Sequence, residues 1–424
     1  MENVTTTSKT EVETYVNTSV GISNRTSPVR QSYLIPWNNP HNVITQQTSD
    51  DILFVLQCII FPIITLFGST GNIMSLVILI QKKLRNSTGV ILIAITFADL
   101  CFLITNMTRK SSCLISLIDE YAEEIYTATI FGPLFFVITS FSRVSAWLVV
   151  LVSIERVIAV TFPLKIKVWV SKQRMIMAVI VIYILTFVFL SPIAFQYKVG
   201  SMFSRRTNTT SYFISTSEFY SSYEDILTVH NEILGTVLFR YLPVFLTMLF
   251  NLIIIINLQR RSLRRKAMTS SKTDSKSEDK ITRMLLIISA VCLICTTPGS
   301  LLLLVSRFVD GFEFFGKYHN IFVVFSDLSL LLSMINSSVN FIIYMVCNKQ
   351  FSEAYTTIFC RCGSISTMRK HKPTMTETSK GTTITTVGST TTNEKIPPFV
   401  PDETFTCDEI SKDHIGCSPT TEDS

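Results

Sequence analysis

The chain has 424 residues, 47% of them hydrophobic and only 16% charged, with a mean hydropathy of +0.40 and a formal charge of +6. A soluble domain carries about 25% charged residues, so this composition argues against a soluble globular protein. The positive residues gather in particular loops and form no groove-lining face, which points to a membrane topology bias and away from nucleic-acid binding.

The first fifty residues, 1–50, are polar, rich in Thr, Ser and Asn, and lack the apolar core of a secretory signal. The first membrane helix is therefore expected to direct insertion itself, with a disordered, glycosylated segment outside. Sequons at Asn3, Asn17 and Asn24 in this segment, and at Asn208 in the long loop after the fourth span, agree.

Seven apolar stretches follow, at about 51–80, 88–117, 127–160, 174–195, 227–258, 280–307 and 320–346. Each supplies the ~20 residues needed to cross a bilayer. Lipid offers no partner for backbone N–H and C=O groups, so each must be a helix. Lys82, Lys83 and Arg85 follow the first span, Lys165, Lys167, Lys172 and Arg174 the third, and Arg260, Arg261, Arg264, Arg265 and Lys266 the fifth. These alternate loops are assigned to the cytosol by the positive-inside rule. The opposite side carries Asp119, Glu120, Glu123 and Glu124.

A short amphipathic stretch at 347–360 places Phe351, Tyr355, Ile358 and Phe359 on one helical face, suited to lying on the membrane surface. Cys360 and Cys362 close it and are palmitoylation candidates; two unmodified thiols fit as well. The Ser/Thr-rich tail, 361–424, has little apolar content and is expected to be disordered. The fold class is thus an all-α seven-transmembrane bundle, spanning 51–346, with a short eighth helix.

Polar groups in hydrocarbon are expensive and hence informative. An isolated carboxylate at mid-membrane costs ~2.5–3.5 kcal/mol even on the lenient insertion scale, so Asp99 in the second span needs partners. Asn72, Ser145, Asn336, Ser337 and Asn340 are placed to supply them. Such a cluster is either a hydrogen-bonded structural core or a sodium or proton site at Asp99. The scattered histidines and cysteines show no spacing for a transition metal.

Several motifs, taken together in order, resemble the rhodopsin-like G protein-coupled receptors. They are Gly71-Asn72, Ala98-Asp99-Leu100, Glu155-Arg156-Val157 with Phe162-Pro163-Leu164 after it, Pro192, Pro243, Cys295-Thr296-Thr297-Pro298, and the run from Asn336 to Tyr344. Within that family the chain is similar to neuropeptide receptors of the FMRFamide or thyrotropin-releasing-hormone type. The resemblance implies a plasma-membrane receptor, N-terminus outside, that takes an extracellular ligand. It further implies signalling to a heterotrimeric G protein, with arrestin and receptor kinases meeting the tail. It implies switch roles for Glu155, Arg156 and Tyr344. Glu278, twenty residues before Pro298, lies ~30 Å down the sixth helix and is a proposed partner of Arg156.

The chain also departs from that family. The cysteine that tethers the second outer loop would fall at Phe131, and that loop, 197–225, has no cysteine. No extracellular disulfide is expected, and a mobile loop is. Ile182 stands where a tryptophan is usual, Cys292 and Thr296 replace the aromatic pair of the sixth helix, Asn251 replaces a tyrosine and Phe341 a proline.

The outer halves of the spans are cationic. Arg109, Lys110, Arg143, Arg240 and Arg307, with Phe135 and Ile138, form the candidate ligand pocket. Intramembrane arginines face the bundle or a cavity. Here they either pair with Glu232, Asp327 and the acidic outer loop, or Arg143 and Arg240 anchor an anionic ligand. The third span holds no acid before Glu155 and the seventh no lysine, which argues against amine and retinal ligands. A peptide receptor is the leading reading, with a chemosensory receptor for a small anionic molecule as the alternative. A transporter predicts an inverted repeat, and no such repeat is evident. No nucleophile–base pair suggests an enzyme.

Overall fold

The computed structural model describes residues 39, 42–81, 86–162, 166–204, 208–267, 274–314 and 316–360. Asn3, Asn17, Asn24, Lys82, Lys83, Arg85, Lys165 and Cys362 lie outside these. So do the side chains of Lys167, Glu232, Arg261, Arg264, Arg265, Lys266, Glu278 and Cys360. Among the described residues, seven helices are long and apolar enough to span a membrane. They are α1 (Gln46–Leu79), α2 (Ser87–Ser116), α3 (Glu120–Thr161), α4 (Lys172–Leu190), α5 (224–267), α6 (Asp274–Phe308) and α7 (His319–Cys347). A short α8 (Lys349–Tyr355) follows.

Helix ends are set by local chemistry. The Asp119 carboxylate accepts the N–H groups of Tyr121 and Ala122, so α3 begins well before its apolar run. Its 42 residues rise ~63 Å, more than a bilayer core requires, and near its start the Tyr126 hydroxyl donates to the Thr108 carbonyl of α2 at 2.7 Å. Asn86, Ser171 and Asn348 cap α2, α4 and α8 in the same way. Pro133 and Pro298 lie inside α3 and α6, where each removes a backbone donor.

Two buried apolar clusters hold the bundle. One, toward the Arg156 end, joins Ile91, Ile95, Leu148, Met284 and Tyr344, and reaches Phe351 of α8. The amphipathic eighth helix therefore docks through its predicted face. The other cluster joins Phe61, Phe102, Leu103, Ile138 and Met334.

The loop after α4 is a paired antiparallel hairpin, β1 (Tyr197–Ser204) and β2 (Thr209–Thr216). Asn208 sits exposed in its turn at φ 56°. The hairpin rests on the outer turns of α3. The Glu124 carboxylate accepts the Tyr212 N–H at 2.5 Å, and the Phe131 ring meets Tyr197 edge-on, centroids 5.1 Å apart. Gly132 lies beside Tyr197 at this approach, where a Cβ would make ordinary contact with the Tyr197 side chain. An aromatic contact thus occupies the place of the family's covalent tether.

A disulfide does exist at the hairpin end, which overturns the expectation of none. Cys58 of α1 is bonded to Cys113 of α2, with Cα atoms 5.7 Å apart, inside the usual range of about 4.4–6.8 Å. Cys58 lies within the apolar run of the first span, where nothing local marks it as a disulfide partner. It sits fourteen residues outward of Asn72, as Cys113 sits fourteen outward of Asp99. At 1.5 Å per residue both are ~21 Å above the same polar level.

This bond closes a 55-residue separation and is expected to contribute ~2–4 kcal/mol. Cys58→Ser, Cys113→Ser and the double variant should lower the thermal midpoint of purified receptor by the same amount. A double variant clearly less stable than either single would show that the two cysteines act separately.

Candidate functional site

At mid-bundle the Asp99 carboxylate is fully buried and receives three donors. The hydroxyls of Ser145 and Ser337 bond Oδ1 at 2.9 and 3.0 Å, and the Asn340 amide bonds Oδ2 at 2.7 Å. Asn72 joins at one remove, its Nδ2 donating to the Ser337 carbonyl at 2.9 Å. Helices α1, α2, α3 and α7 are tied at this level. Asn336, expected in the group, makes none of these bonds. The buried Asn72 Oδ1 is left with no hydrogen-bond partner. Hydroxyl oxygens keep lone pairs after donating, so the cluster offers oxygen ligands that fit a hard monovalent cation.

At the far end of α3, Arg156 and Glu155 are both buried and bonded to each other, with Nη2–Oε1 2.7 Å and Nε–Oε2 3.0 Å. Thr88 of α2 completes a triangle. Its hydroxyl donates to Glu155 Oε1 at 2.7 Å and accepts from Arg156 Nη2 at 2.5 Å. Sequence reading missed Thr88, because the contact is made across 67 residues. Tyr344 packs instead in the apolar cluster against Phe351. The Arg156–Glu278 pair depends on a side chain outside the described residues.

The outer cations separate into two kinds. Lys110 is paired, with Nζ 3.0 and 3.1 Å from the Asp327 oxygens, and Gln57 donates to the same carboxylate at 2.5 Å. Arg109 lies in the field of the same carboxylate. This cluster lies beside the disulfide and links α1, α2 and α7. Lys110 is thus removed from the candidate pocket, and so is Ile138, which is core. Phe135 stacks on Phe131 and meets Tyr197 below the hairpin, and Arg307 is exposed at the end of α6.

Arg143 and Arg240 behave differently. Both line one cavity between α3, α5, α6 and α7, of about 500 Å³ including its mouth. Ser142, Phe239, Thr296 and Ser300 line it too. Among the described residues no carboxylate pairs with either arginine. The charge of Arg240 is felt at Arg143. Gly299 gives Arg240 its path, since a Cβ there would lie 3.2 Å from the guanidinium Nη2. Cys292 and Thr296, standing where the resembled family has aromatic rings, are both in the wall. Small side chains there leave the space that the two arginines share.

A seven-helix bundle with a Glu-Arg triangle at one end and a lined cavity within it is the architecture of a receptor. Residues 59–362 match the family described as serpentine type 7TM GPCR chemoreceptor Srw. The chain belongs to this family. The receptor is a multi-pass membrane protein of the G protein-coupled class, which takes an extracellular ligand and couples to a G protein. It is similar to a probable G-protein coupled receptor, B0563.6, of Caenorhabditis elegans, 23% identical over 72% of this chain and 69% of that one. A second from the same organism, AH9.1, is 23% identical over 54% of this chain and 58% of its own length. Galanin receptor 2a of Danio rerio is 24% identical, covering 72% and 78%.

The triangle at Arg156 generates a prediction. Glu155→Gln removes the charge that holds Arg156 and should raise ligand-free nucleotide exchange on the G protein by roughly 3–10-fold, with Thr88→Ala giving a smaller rise. The measurement is nucleotide binding in membranes at matched receptor density. A basal rate unchanged in Glu155→Gln would sink the role of this pair as a resting latch.

Proposed function

We propose that this receptor sits in the plasma membrane with its N-terminus outside and recognises an anionic extracellular ligand, in the first place an acidic peptide. Arg143 and Arg240 are its anchors. The observation that carries the reading is the pair of arginines, unpaired by any described carboxylate, in the wall of one cavity. A guanidinium binds a carboxylate through two parallel donors, and two of them on α3 and α5 would tie a ligand's acid to both helices. The likeness to a galanin receptor supports a peptide. The family's description as chemoreceptors favours the second reading, a small anionic chemical in the same place.

The rest of the proposal follows the charges. Lys172, Arg174 and Arg260 are exposed at the Arg156 end, and the acidic Asp119 and Glu120 at the hairpin end, which supports a cytosolic Arg156 end. The exposed position of Asn208 in the hairpin turn suits a glycosylated outer loop. Ligand binding would be passed on by movement of α6 about Pro298. Arg156, freed from Glu155 and Thr88, would meet the G protein, with Glu278 as a further acid at the inner end of α6. A sodium ion at Asp99, held by the oxygens of Ser145, Ser337 and Asn72, would favour the resting state. The Ser/Thr-rich tail would serve receptor kinases and arrestin.

The test is a screen of acidic peptides and small carboxylates against cells expressing the full chain with a promiscuous G protein. Active compounds should carry an anionic group. Arg143→Gln and Arg240→Gln should each weaken potency by ~10–150-fold at unchanged surface expression, the worth of a charged hydrogen bond. Potency indifferent to both substitutions would remove the anchors.

A further inference from the structure

Two like charges face one cavity, and among the described residues no carboxylate pairs with them. Arg143 comes from α3 and Arg240 from α5; each is partly buried, and the field of one acts on the other. Two carboxylates within the bundle are engaged elsewhere. Asp99 holds Ser145, Ser337 and Asn340, and Asp327 holds Lys110 and Gln57. Asp99, the Glu155–Arg156 pair and the Lys110–Asp327 pair each have a stated partner, as unpaired charge in low dielectric is strongly disfavoured. Repulsion between the guanidinium groups adds to that cost and grows as water is excluded.

The wall is chemically suited to an anion. The hydroxyls of Thr296 and Ser300 spend their protons on carbonyls of their own helix, at 2.7 and 3.0 Å, and the charged donors in the wall are the two guanidinium forks. Gly299 keeps the Arg240 head free of a side chain at the point where it crosses α6.

We infer that the resting receptor holds a small inorganic anion, of which chloride is the abundant one outside cells, between Arg143 and Arg240. The ion compensates the pair, draws α5 toward α3, and must leave when the anionic group of a ligand takes its place. The resident ion concerns the same cavity as the proposed ligand but needs no ligand for its existence. It gives the receptor a dependence on chloride that an uncharged or already paired pocket lacks.

The experiment uses purified full-length receptor in lipid nanodiscs without agonist. Its thermal midpoint is followed as sodium gluconate is replaced by sodium chloride at constant ionic strength. A saturable rise of ~5 °C is expected, reproduced by bromide or nitrate and absent from the Arg143→Gln/Arg240→Gln variant. Should the double variant not fold, line broadening of the chloride nuclear resonance by wild type, relieved by an excess of nitrate, gives the same information. Equal midpoints in gluconate and chloride, or no broadening, overturn the inference. Arginine-dependent ligand potency without any chloride effect would overturn the resident ion alone. A chloride effect with potency untouched by both substitutions would support the ion and remove the arginines as ligand anchors.

Discussion

The refusal of hydrocarbon to solvate polar groups governs this molecule. Every charge within the bundle has to find its partner inside the protein, and the partners found reveal what each charge is for. Asp99 is met by three donors from α3 and α7. Glu155 and Arg156 satisfy each other and share Thr88. Lys110 and Asp327 do likewise, with Gln57. These groups are explained by the structure itself. Arg143 and Arg240 are not, and the same rule that makes the others structural makes this pair the place to look for a ligand.

What could be read from sequence follows the range of the interactions involved. The seven spans and the eighth helix were legible because hydropathy and the 3.6-residue period are local properties. Most of the Asp99 group was legible too, since one buried carboxylate demands donors and few polar residues share its level; Asn336 was included for that reason and lies off it. Thr88 was not legible, being an ordinary hydroxyl at a helix start until α2 and α3 pack. The pairing of Cys58 with Cys113 was not legible, because it joins two apolar spans 55 residues apart and depends on how α1 and α2 pack. Counting outward from Asn72 and Asp99 would have placed both cysteines at one height. The hairpin, rich in Ser and Thr, lacks the alternation of a half-buried strand and acquires its pairing partly from the platform that α3 provides.

The departures from the resembled family become coherent once the contacts are known. Phe131, in place of a tethering cysteine, still holds the hairpin, through Tyr197. Cys292 and Thr296, in place of an aromatic pair, are walls of the cavity. The second change removes bulk where the arginines enter, so space and charge arise together. A large ring restored at either position would compete for the volume the guanidinium groups use.

The bundle is thereby divided by the strength of its ties. On one side α1, α2 and α7 are joined by a disulfide, a bidentate ion pair, a glutamine bond and the Asp99 network. On the other, α5 and α6 face α3 across a cavity with two positive charges, and α6 carries Pro298 at that depth. A structure rigid on one side and electrostatically unbalanced on the other moves where it is unbalanced. An anion between Arg143 and Arg240 changes the force between α3 and α5 directly, and α3 ends in Glu155 and Arg156. On the proposed reading the signal would need no route through the clamped helices, and the Cys58–Cys113 disulfide would be the fixed side against which the α5–α6 half is displaced.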